Sequence, residues 1–522
     1  MFHRLLKKFS NRQTGRATAK VHTLPAPVGG WNRRDSLSAM KPEDAIILDN
    51  IIPDNGRVRL RGGYLSWATD MAELHVETLM EYAPPDGGNK LFAAAPAEVY
   101  DVTTAGAASS AFSPGGTSAR WQHTMFATTG GNFLCIVNGS NHYYTYDGST
   151  WTNQAANVTG ATSSTFVNVA VHANRLWFVQ VDSLDAWYLE TAAITGAATQ
   201  FPLGPLCKKG GYLLAIGTWT EDGGDGSDDR WVGVTSKGEV IVYQGTDPSS
   251  ADDWMLVGVY SVSEPIGRRC LIKVGGDIGI ITSSGVALLS QLIGVNRSGQ
   301  GKVAITNKIA GAFQEAYRQC GTSHGWQIVE FPSQSLVIIN VPWQERVTAY
   351  QYVINIDTGA WCRFTGVNAN CWSLLGDDLF FGTSEGKTYK FGEHLSDDGD
   401  PISYTIQLAY NKCGGPYAKV FQAARLLMMA TVGYNPGVEI KLDYDSNPPN
   451  VTPPAGGTAA GPEWDVAEWD VADWGVSVES RSRWQSVYGE GRAVSVVLAG
   501  NGFDVTFEFS EVDVMYQPGG WL

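Results

Sequence analysis

A run of short apolar strands joined by Gly/Asp turns, from Val171 to Tyr260, constrains the fold of this chain more than any other feature. The turns come too often for long helices to fit between them. The predicted strands are Arg175–Val179, Ala186–Leu189, Gly211–Ile216, Trp231–Val234 and Gly238–Tyr243. A sheet of such strands hides its faces only by packing against another sheet, so we expect a series of stacked sheets.

The same pattern repeats loosely from about His75 to Leu395. Each unit is an apolar strand, a turn with Asp and Gly, and a strand carrying an aromatic residue, as in Tyr143–Trp151 and Ile354–Trp361. An imperfect period of about 40 to 60 residues is typical of the blades of a β-propeller. The length of the region predicts a ring of roughly five or six blades.

The rest of the chain supports an all-β fold with few short helices, since 60 Gly, 18 Trp and 21 Tyr in 522 residues favour short strands and turns. After Ser396–Pro401 the strands become longer, which predicts a β-sandwich module. Its strands are Ile402–Tyr410, Ala424–Thr431, Val438–Tyr444, Ala493–Leu498 and Phe503–Phe509. The predicted domains are a basic arm (1–24), an N-terminal platform segment (25–74), a β-propeller (75–395) and a C-terminal β-sandwich or platform module (396–522).

Two short helices and one basic strand are predicted outside this pattern. Pro42, followed by two acids, is a typical helix start, and Pro53 would end that helix after about two turns. The second helix places Ile309, Phe313, Ala316, Tyr317 and Cys320 on one face, before Gly321. Between the two, Gly56–Gly63 alternates apolar residues with arginines, which predicts a strand with a basic face.

Several segments resemble the structural proteins of tailed-phage virions. Asn174–Val179, Gly245–Pro248 and Asp253–Trp254 are similar to the β-propeller portion of tail nozzle or tail tubular (tail hub) proteins of short-tailed bacteriophages. The segments Pro27–Gly30 and Gly56–Gly63 resemble the N-terminal part of the same proteins. The Trp-Asp-Val-Ala repeat near residue 464 and the ending Val514–Gly520 resemble their C-terminal module.

This resemblance implies a virion tail protein that is assembled in the host cytoplasm. It implies a homo-oligomer, expected to be a hexamer, that forms a nozzle below the head-to-tail adaptor ring and closes and conducts the DNA ejection channel. The N- and C-terminal segments would face the adaptor, and the propellers would project outward. Implied partners are tail spikes or fibres, the host cell surface, and double-stranded DNA that passes without sequence-specific binding. A tail part of a longer-tailed phage or of a gene-transfer particle remains open.

The formal net charge of −15 argues against tight nucleic-acid binding, which requires clustered Lys and Arg. An acidic lining would let DNA slide through a channel, and acidity that serves only solubility is the alternative. The first 20 residues are basic and contain no acid, so the segment is either a disordered tail or an arm held by a neighbour. Candidate interface residues are Phe2, Arg4, Lys7, Lys8 and the evenly spaced Trp464, Trp469 and Trp474.

No motif predicts a cofactor, a metal site or an enzyme. The seven cysteines are widely spaced, so we expect reduced thiols, most of them buried. The acidic loop Glu221–Asp229 could wrap Ca²⁺ or simply be solvated, and it lacks the EF-hand order. The alternatives to a tail nozzle are a receptor- or glycan-binding tail propeller and, less favoured, a glycoside hydrolase. Because no signal peptide or membrane-spanning stretch is found, we expect a soluble chain that is not exported.

Overall fold

The computed structural model describes residues 18–72, 74–220, 229–431, 433–451 and 478–519. Most of these residues lie in β-strands. The α-helices in this part of the chain are short and fall together in sequence, at Leu289–Ile293, Gln300–Val303 and Ala310–Cys320. The prediction of an all-β fold with few short helices is confirmed. No helix in the described ranges is long and apolar enough to cross a membrane.

Four antiparallel sheets of four strands follow one another along the chain. Blade 1 contains Thr78–Tyr82, Lys90–Ala95, Glu98–Asp101 and Ser109–Phe112. Blade 2 contains Gln122–Thr128, Gly131–Val137, Tyr144–Tyr146 and Trp151–Asn153. Blade 3 contains Phe166–His172, Arg175–Gln180, Asp185–Tyr188 and Thr199–Pro202. Blade 4 contains Leu213–Trp219, Arg230–Thr235, Glu239–Gln244 and Met255–Ser261.

Three further sheets complete the series. Blade 5 contains only Leu271–Val274, Asp277–Thr282 and Gly285–Leu288, and the helical segment follows it. Blade 6 contains Gln327–Phe331, Leu336–Gln344, Thr348–Asn355 and Ala360–Phe364. Blade 7 contains Cys371–Leu375, Asp378–Gly382, Thr388–His394 and, from the N-terminal region, Gly63–Thr69, with the two-residue strand Gly106–Ala107 paired beyond it. The described residues therefore form seven blades, more than the length of the repeat region predicts.

The blades form a closed ring, because each contacts the next and the first strand of blade 7 contacts that of blade 1. Separate apolar clusters fill the spaces between neighbouring blades. Trp121 and Ile136 of blade 2 pack with Met80 and Phe92 of blade 1, for example. Both faces of a blade are thus buried, which explains the strongly apolar strands of the sequence. The fold is a β-propeller with an attached β-sandwich.

The strand Gly63–Thr69 closes the ring by pairing antiparallel with Thr388–His394. The two glycines at its start allow a very close approach, since a β-carbon on Gly63 would overlap the carbonyl oxygen of Ser396. Arg61, which is almost fully buried, anchors the strand through two hydrogen bonds of 2.8 and 2.7 Å to the carboxylate of Asp397. Its Nε also donates to Asn50 at 2.9 Å. Ring closure therefore depends on contacts between residues more than 300 positions apart.

The C-terminal module is a β-sandwich joined to the propeller. One of its sheets continues directly from blade 6 and forms a nine-stranded sheet. Its added strands are Gly30–Trp31, Asp44–Asp49, Ile402–Leu408, Val494–Gly502 and Gly437–Leu442. The second sheet contains Val478–Gly491, Lys419–Thr431, Phe507–Pro518, Val58–Leu60 and Ile51–Pro53, with Lys20–Pro25 paired to Phe507–Pro518. One apolar cluster spans the sandwich and blades 4 to 7.

The prediction of a helix that starts at Pro42 is wrong. The predicted strand within Gly56–Gly63 and the predicted helix before Gly321 are confirmed. Asp44–Asp49 is a strand that pairs with both Ile402–Leu408 and Ala360–Phe364. Burial of Ala45 and Leu48 in the main core, and of Ile46 in a separate small cluster with Tyr410 and Ala493, outweighs the local helix signals. Val58–Leu60 is a strand, and the helix Ala310–Cys320 ends at Gly321 as predicted.

We expect Arg61→Met to lower the stability of the protein by about 3–5 kcal/mol, because it leaves the Asp397 carboxylate buried without its cation. Arg57→Met is the matched control, since the ion pair of Arg57 with Glu508 is largely exposed and contributes at most about 1 kcal/mol. Thermal and denaturant unfolding followed by circular dichroism measures both. Equal losses in the two variants would contradict the assigned role of Arg61.

Candidate functional site

The first strands of the blades line a central channel with a cavity at each end. A cavity of about 420 Å³ is lined by residues at or just before the starts of these strands, including Arg120, Tyr212, Arg268, Arg269 and His324. We call it the arginine mouth. A cavity of about 950 Å³ is lined by later parts of the same strands, among them Thr124–Ala127 and Val169–His172. The first strands therefore share one direction, and the two cavities are the two ends of the channel.

Glu77 is the centre of an ion-pair network beside the arginine mouth. It directly precedes blade 1, and its side chain is only 2% exposed. Its Oε1 accepts hydrogen bonds from Arg120 of blade 2 at 3.2 Å and from Arg346 of blade 6 at 2.9 and 3.1 Å. Glu345 pairs with Arg120 at 2.5 Å and accepts from the backbone N–H of His324 at 2.9 Å. These contacts connect three blades at one end of the ring.

Arg269 crosses the channel from blade 5 to blades 1 and 2. Its Nη2 donates to Thr78 Oγ1 at 2.7 Å and to the carbonyl oxygens of Glu77 and Trp121, each at 3.2 Å. All of its hydrogen bonds leave from this one nitrogen, so Nε and Nη1 remain unused among the described residues. Burial lowers the pKa of Arg269 below its ordinary value, and the charge of Arg120 lowers it further.

Arg268, its neighbour, makes no hydrogen bond or ion pair with any described residue. It is half-buried and lines the arginine mouth. Its Nη1 lies 3.8 Å from where a β-carbon on Gly139, after the second strand of blade 2, would stand. Burial also lowers the pKa of Arg268. Because Arg120 and Arg346 are balanced by Glu77 and Glu345, the charges of Arg268 and Arg269 remain without a paired carboxylate at this mouth.

Two histidines in the channel are neutral at physiological pH. Burial lowers the pKa of His324 at the arginine mouth to about 2, and the charges of Arg269 and Arg120 add to this effect. At the opposite end, burial lowers the pKa of His172 to about 4. His172 contacts the Thr218 hydroxyl through Nδ1 at 3.1 Å and packs edge-on against Trp254. These imidazoles therefore add no positive charge to the channel.

The outer sheet of the sandwich presents a second candidate site, which we call the outer face. Trp484, Arg425, Asp513 and Thr23 lie side by side across four of its six strands. The Arg425 guanidinium lies 5.0 Å above the Trp484 ring and donates to Asp513 at 3.0 Å. Exposed apolar residues surround this row, namely Val21, Leu427, Met429, Val478 and Tyr488. Serines and glutamates lie beside Leu427 and Met429 in the register, so the surface combines exposed Trp, Tyr, Met and Arg with polar residues. Such a composition is typical of protein–protein interfaces.

All of the interface residues predicted from the sequence lie outside the described residues. They are Phe2, Arg4, Lys7, Lys8, Trp464, Trp469 and Trp474. The acidic loop considered for Ca²⁺ lies there too, except for Asp229. No group of metal-ligating side chains occurs in the part of the chain that is described. All seven cysteines except the half-buried Cys207 are buried, which confirms the predicted burial.

Sequence reasoning missed the arginine mouth because its residues come from distant turns of the chain. Glu77, Arg120, Arg269, His324 and Arg346 have no recognisable spacing, and only closure of the ring brings them together. The adjacent Arg268–Arg269 pair in an apolar region was the one available signal. The outer face was missed because Val478–Gly491 alternates Ser with charged residues and does not read as a strand.

Comparisons with known proteins give the following results. No family model matches the chain, and no curated protein sequence matches it. Among solved structures it is similar to BBS1N in complex with ARL6DN, with 13% identity, a TM-score of 0.41, and coverage of 64% of this chain and 98% of that one. It is also similar to the WD40 β-propeller domain of Doa1, with 9% identity, a TM-score of 0.39, and 64% and 98% coverage. It is similar as well to the β-propeller domain of Myceliophteria thermophila Cps50 (Swd1). The identity is 10%, the TM-score is 0.41, and the match covers 64% of this chain and 99% of that one.

We expect Glu77→Gln to destabilise the ring by about 1–3 kcal/mol, because two guanidinium groups lose a buried carboxylate but keep partial access to water. The control is Glu264→Gln, whose pair with Lys237 is exposed on both sides and contributes at most about 1 kcal/mol. Unfolding midpoints in denaturant measure both. A smaller effect for Glu77→Gln than for Glu264→Gln would contradict the network.

His172 predicts a loss of stability in acid. Its pKa in the folded protein, about 4, is below the ordinary value of 6.5, so only the unfolded chain takes up this proton between those values. The contribution is fully present above pH 6.5 and falls by about 1.4 kcal/mol per pH unit on acidification toward pH 4. In His172→Gln this part of the slope should disappear in denaturant titrations from pH 7 to 4.5. An unchanged slope would contradict the assignment.

Proposed function

We propose that the protein is a non-catalytic structural component of a phage virion tail, which forms a homo-oligomeric nozzle below the head-to-tail adaptor. In this role six copies surround the DNA ejection channel, close it before infection and conduct DNA afterwards. The sequence resemblance to tail nozzle proteins suggests the role. The observation that carries it is the outer face of the sandwich, an exposed apolar surface with a long open strand beside it.

The chemistry of the outer face suits assembly with another protein. Tyr488 is 83% exposed, Met429 46% and Trp484 43%. Aromatic residues with a large apolar area supply most of the binding energy at interfaces. In the single chain these three side chains leave a large part of their apolar area in water. In an oligomer the same side chains would be covered by a neighbouring subunit or by the adaptor.

The strand next to this face offers a second type of contact. Val478–Gly491 has 14 residues and, among the described residues, lies at the edge of its sheet and pairs only with Lys419–Thr431. An open edge presents a row of unpaired N–H and C=O groups, which a strand of another chain can complete. We therefore place the contact between subunits at this edge and on the outer face.

The connection between module and propeller supports a mechanical role. One nine-stranded sheet runs from blade 6 into the sandwich, so displacement of the sandwich is transmitted to the propeller through backbone hydrogen bonds. A tail part that must bear the pressure of packaged DNA requires such a stiff connection. The net charge of −15 also suits a part that DNA passes without adhering.

Cryo-electron microscopy of assembled particles that contain the chain tests this proposal. The expected result is six copies around an axial channel, with the outer face of each copy covered by a neighbouring subunit or by the adaptor. Copies at the periphery of the particle, or a lone propeller with a sugar at its mouth, would overturn it in favour of receptor or glycan binding.

A variant test addresses the outer face separately. We expect the double variant Leu427→Ser, Tyr488→Ser to fold normally, because both side chains are exposed, and to reduce the yield of assembled particles at least about tenfold. Met255→Ser is the control, since Met255 is 57% exposed on the outermost strand of blade 4. Equal yields from all three proteins would contradict an interface on the outer face.

A further inference from the structure

The arginine mouth has a charge arrangement that the fold does not require. A protein gains nothing by burying cations without carboxylates, because desolvation disfavours the charged form. The lowered pKa values of Arg268 and Arg269 express this cost. The chain as a whole is strongly acidic, so two half-buried arginines without a paired carboxylate at one cavity are unusual for it.

The acids near Arg268 do not neutralise it. Asp182 acts on it electrostatically but forms no ion pair with it, and Glu264 pairs with Lys237 at 3.8 Å. Glu77 and Glu345 are already engaged with Arg120 and Arg346. The neutral His324 adds no charge to the cavity. Two positive charges therefore remain for a ligand, together with the free donors of Arg268 and the unused Nε and Nη1 of Arg269.

We propose that the arginine mouth binds a small oxyanion of the phosphate class, with Arg268 as its main contact and Arg269 lining the same cavity. A dianion matches the two uncompensated charges, and the planar fork of guanidinium donors matches the oxygens of a phosphate group. The cavity of about 420 Å³ holds inorganic phosphate or a small phosphate monoester.

Isothermal titration calorimetry of the full chain in a low-salt buffer without phosphate tests this site. The probes are inorganic phosphate, sulfate and ribose 5-phosphate, with chloride as the negative control. The expected result is saturable binding of one equivalent of phosphate or sulfate, weakened by added salt, and no binding of chloride at the same concentration. Ribose 5-phosphate that binds more than about tenfold tighter than phosphate identifies a monoester as the natural ligand, and similar affinities identify free phosphate. No saturable heat with any oxyanion would overturn the proposal.

Arg268→Gln provides the specific variant, because Arg268 makes no hydrogen bond or ion pair within the described residues and its loss should not unfold the ring. We expect it to weaken oxyanion binding at least about tenfold. Lys237→Gln removes a nearby cation that is exposed and already paired, and it should change the affinity less than about twofold. Phosphate should raise the unfolding temperature of the original protein and of Lys237→Gln, but not of Arg268→Gln. Equal affinities in Arg268→Gln and the original protein would overturn the site.

Discussion

The structure depends on one constraint, which is that every blade has two apolar faces to cover. An open row of such sheets would leave two faces in water, so the ring is stable only when its last blade meets its first. The chain achieves this by placing an N-terminal strand, Gly63–Thr69, beside Thr388–His394 as the fourth strand of blade 7. Arg61 and Asp397 hold that strand where both ends of the propeller region meet. Because closure joins the two ends, the ring forms as a unit.

The closing strand also determines where the sandwich lies. The residues just before it form Asp44–Asp49 and Val58–Leu60, and those just after blade 7 form Ile402–Leu408. Both ends of the propeller therefore leave the ring at the same place and combine into one module. This explains why blade 6, next to the closing blade, extends into the sandwich. The outer face lies on the sheet of the module that is not shared with the propeller.

The sequence predicts local structure well where buried apolar residues recur along the chain at the spacing of a strand or a helix. The strands of blades 3 and 4 and the helix Ala310–Cys320 follow directly from their apolar spacing. Prediction fails where distant partners decide, as in Asp44–Asp49, which local signals describe as a helix but two neighbouring strands hold in a sheet. The arginine mouth is an extreme case. Its charged residues come together only when the closed ring brings blades 1, 2, 5 and 6 around the same end of the channel. No local pattern in the chain predicts that arrangement.

Arg269 has a consequence for anything that moves along the axis of the propeller. Its side chain extends from the turn before blade 5 and donates hydrogen bonds to blades 1 and 2, so it lies across the channel. Removing it would require breaking hydrogen bonds to three acceptors at once. A polymer cannot thread through such an opening while the ring keeps its shape. In the proposed nozzle the DNA channel would therefore lie between several copies of the protein. It would not run along the axis of any single propeller.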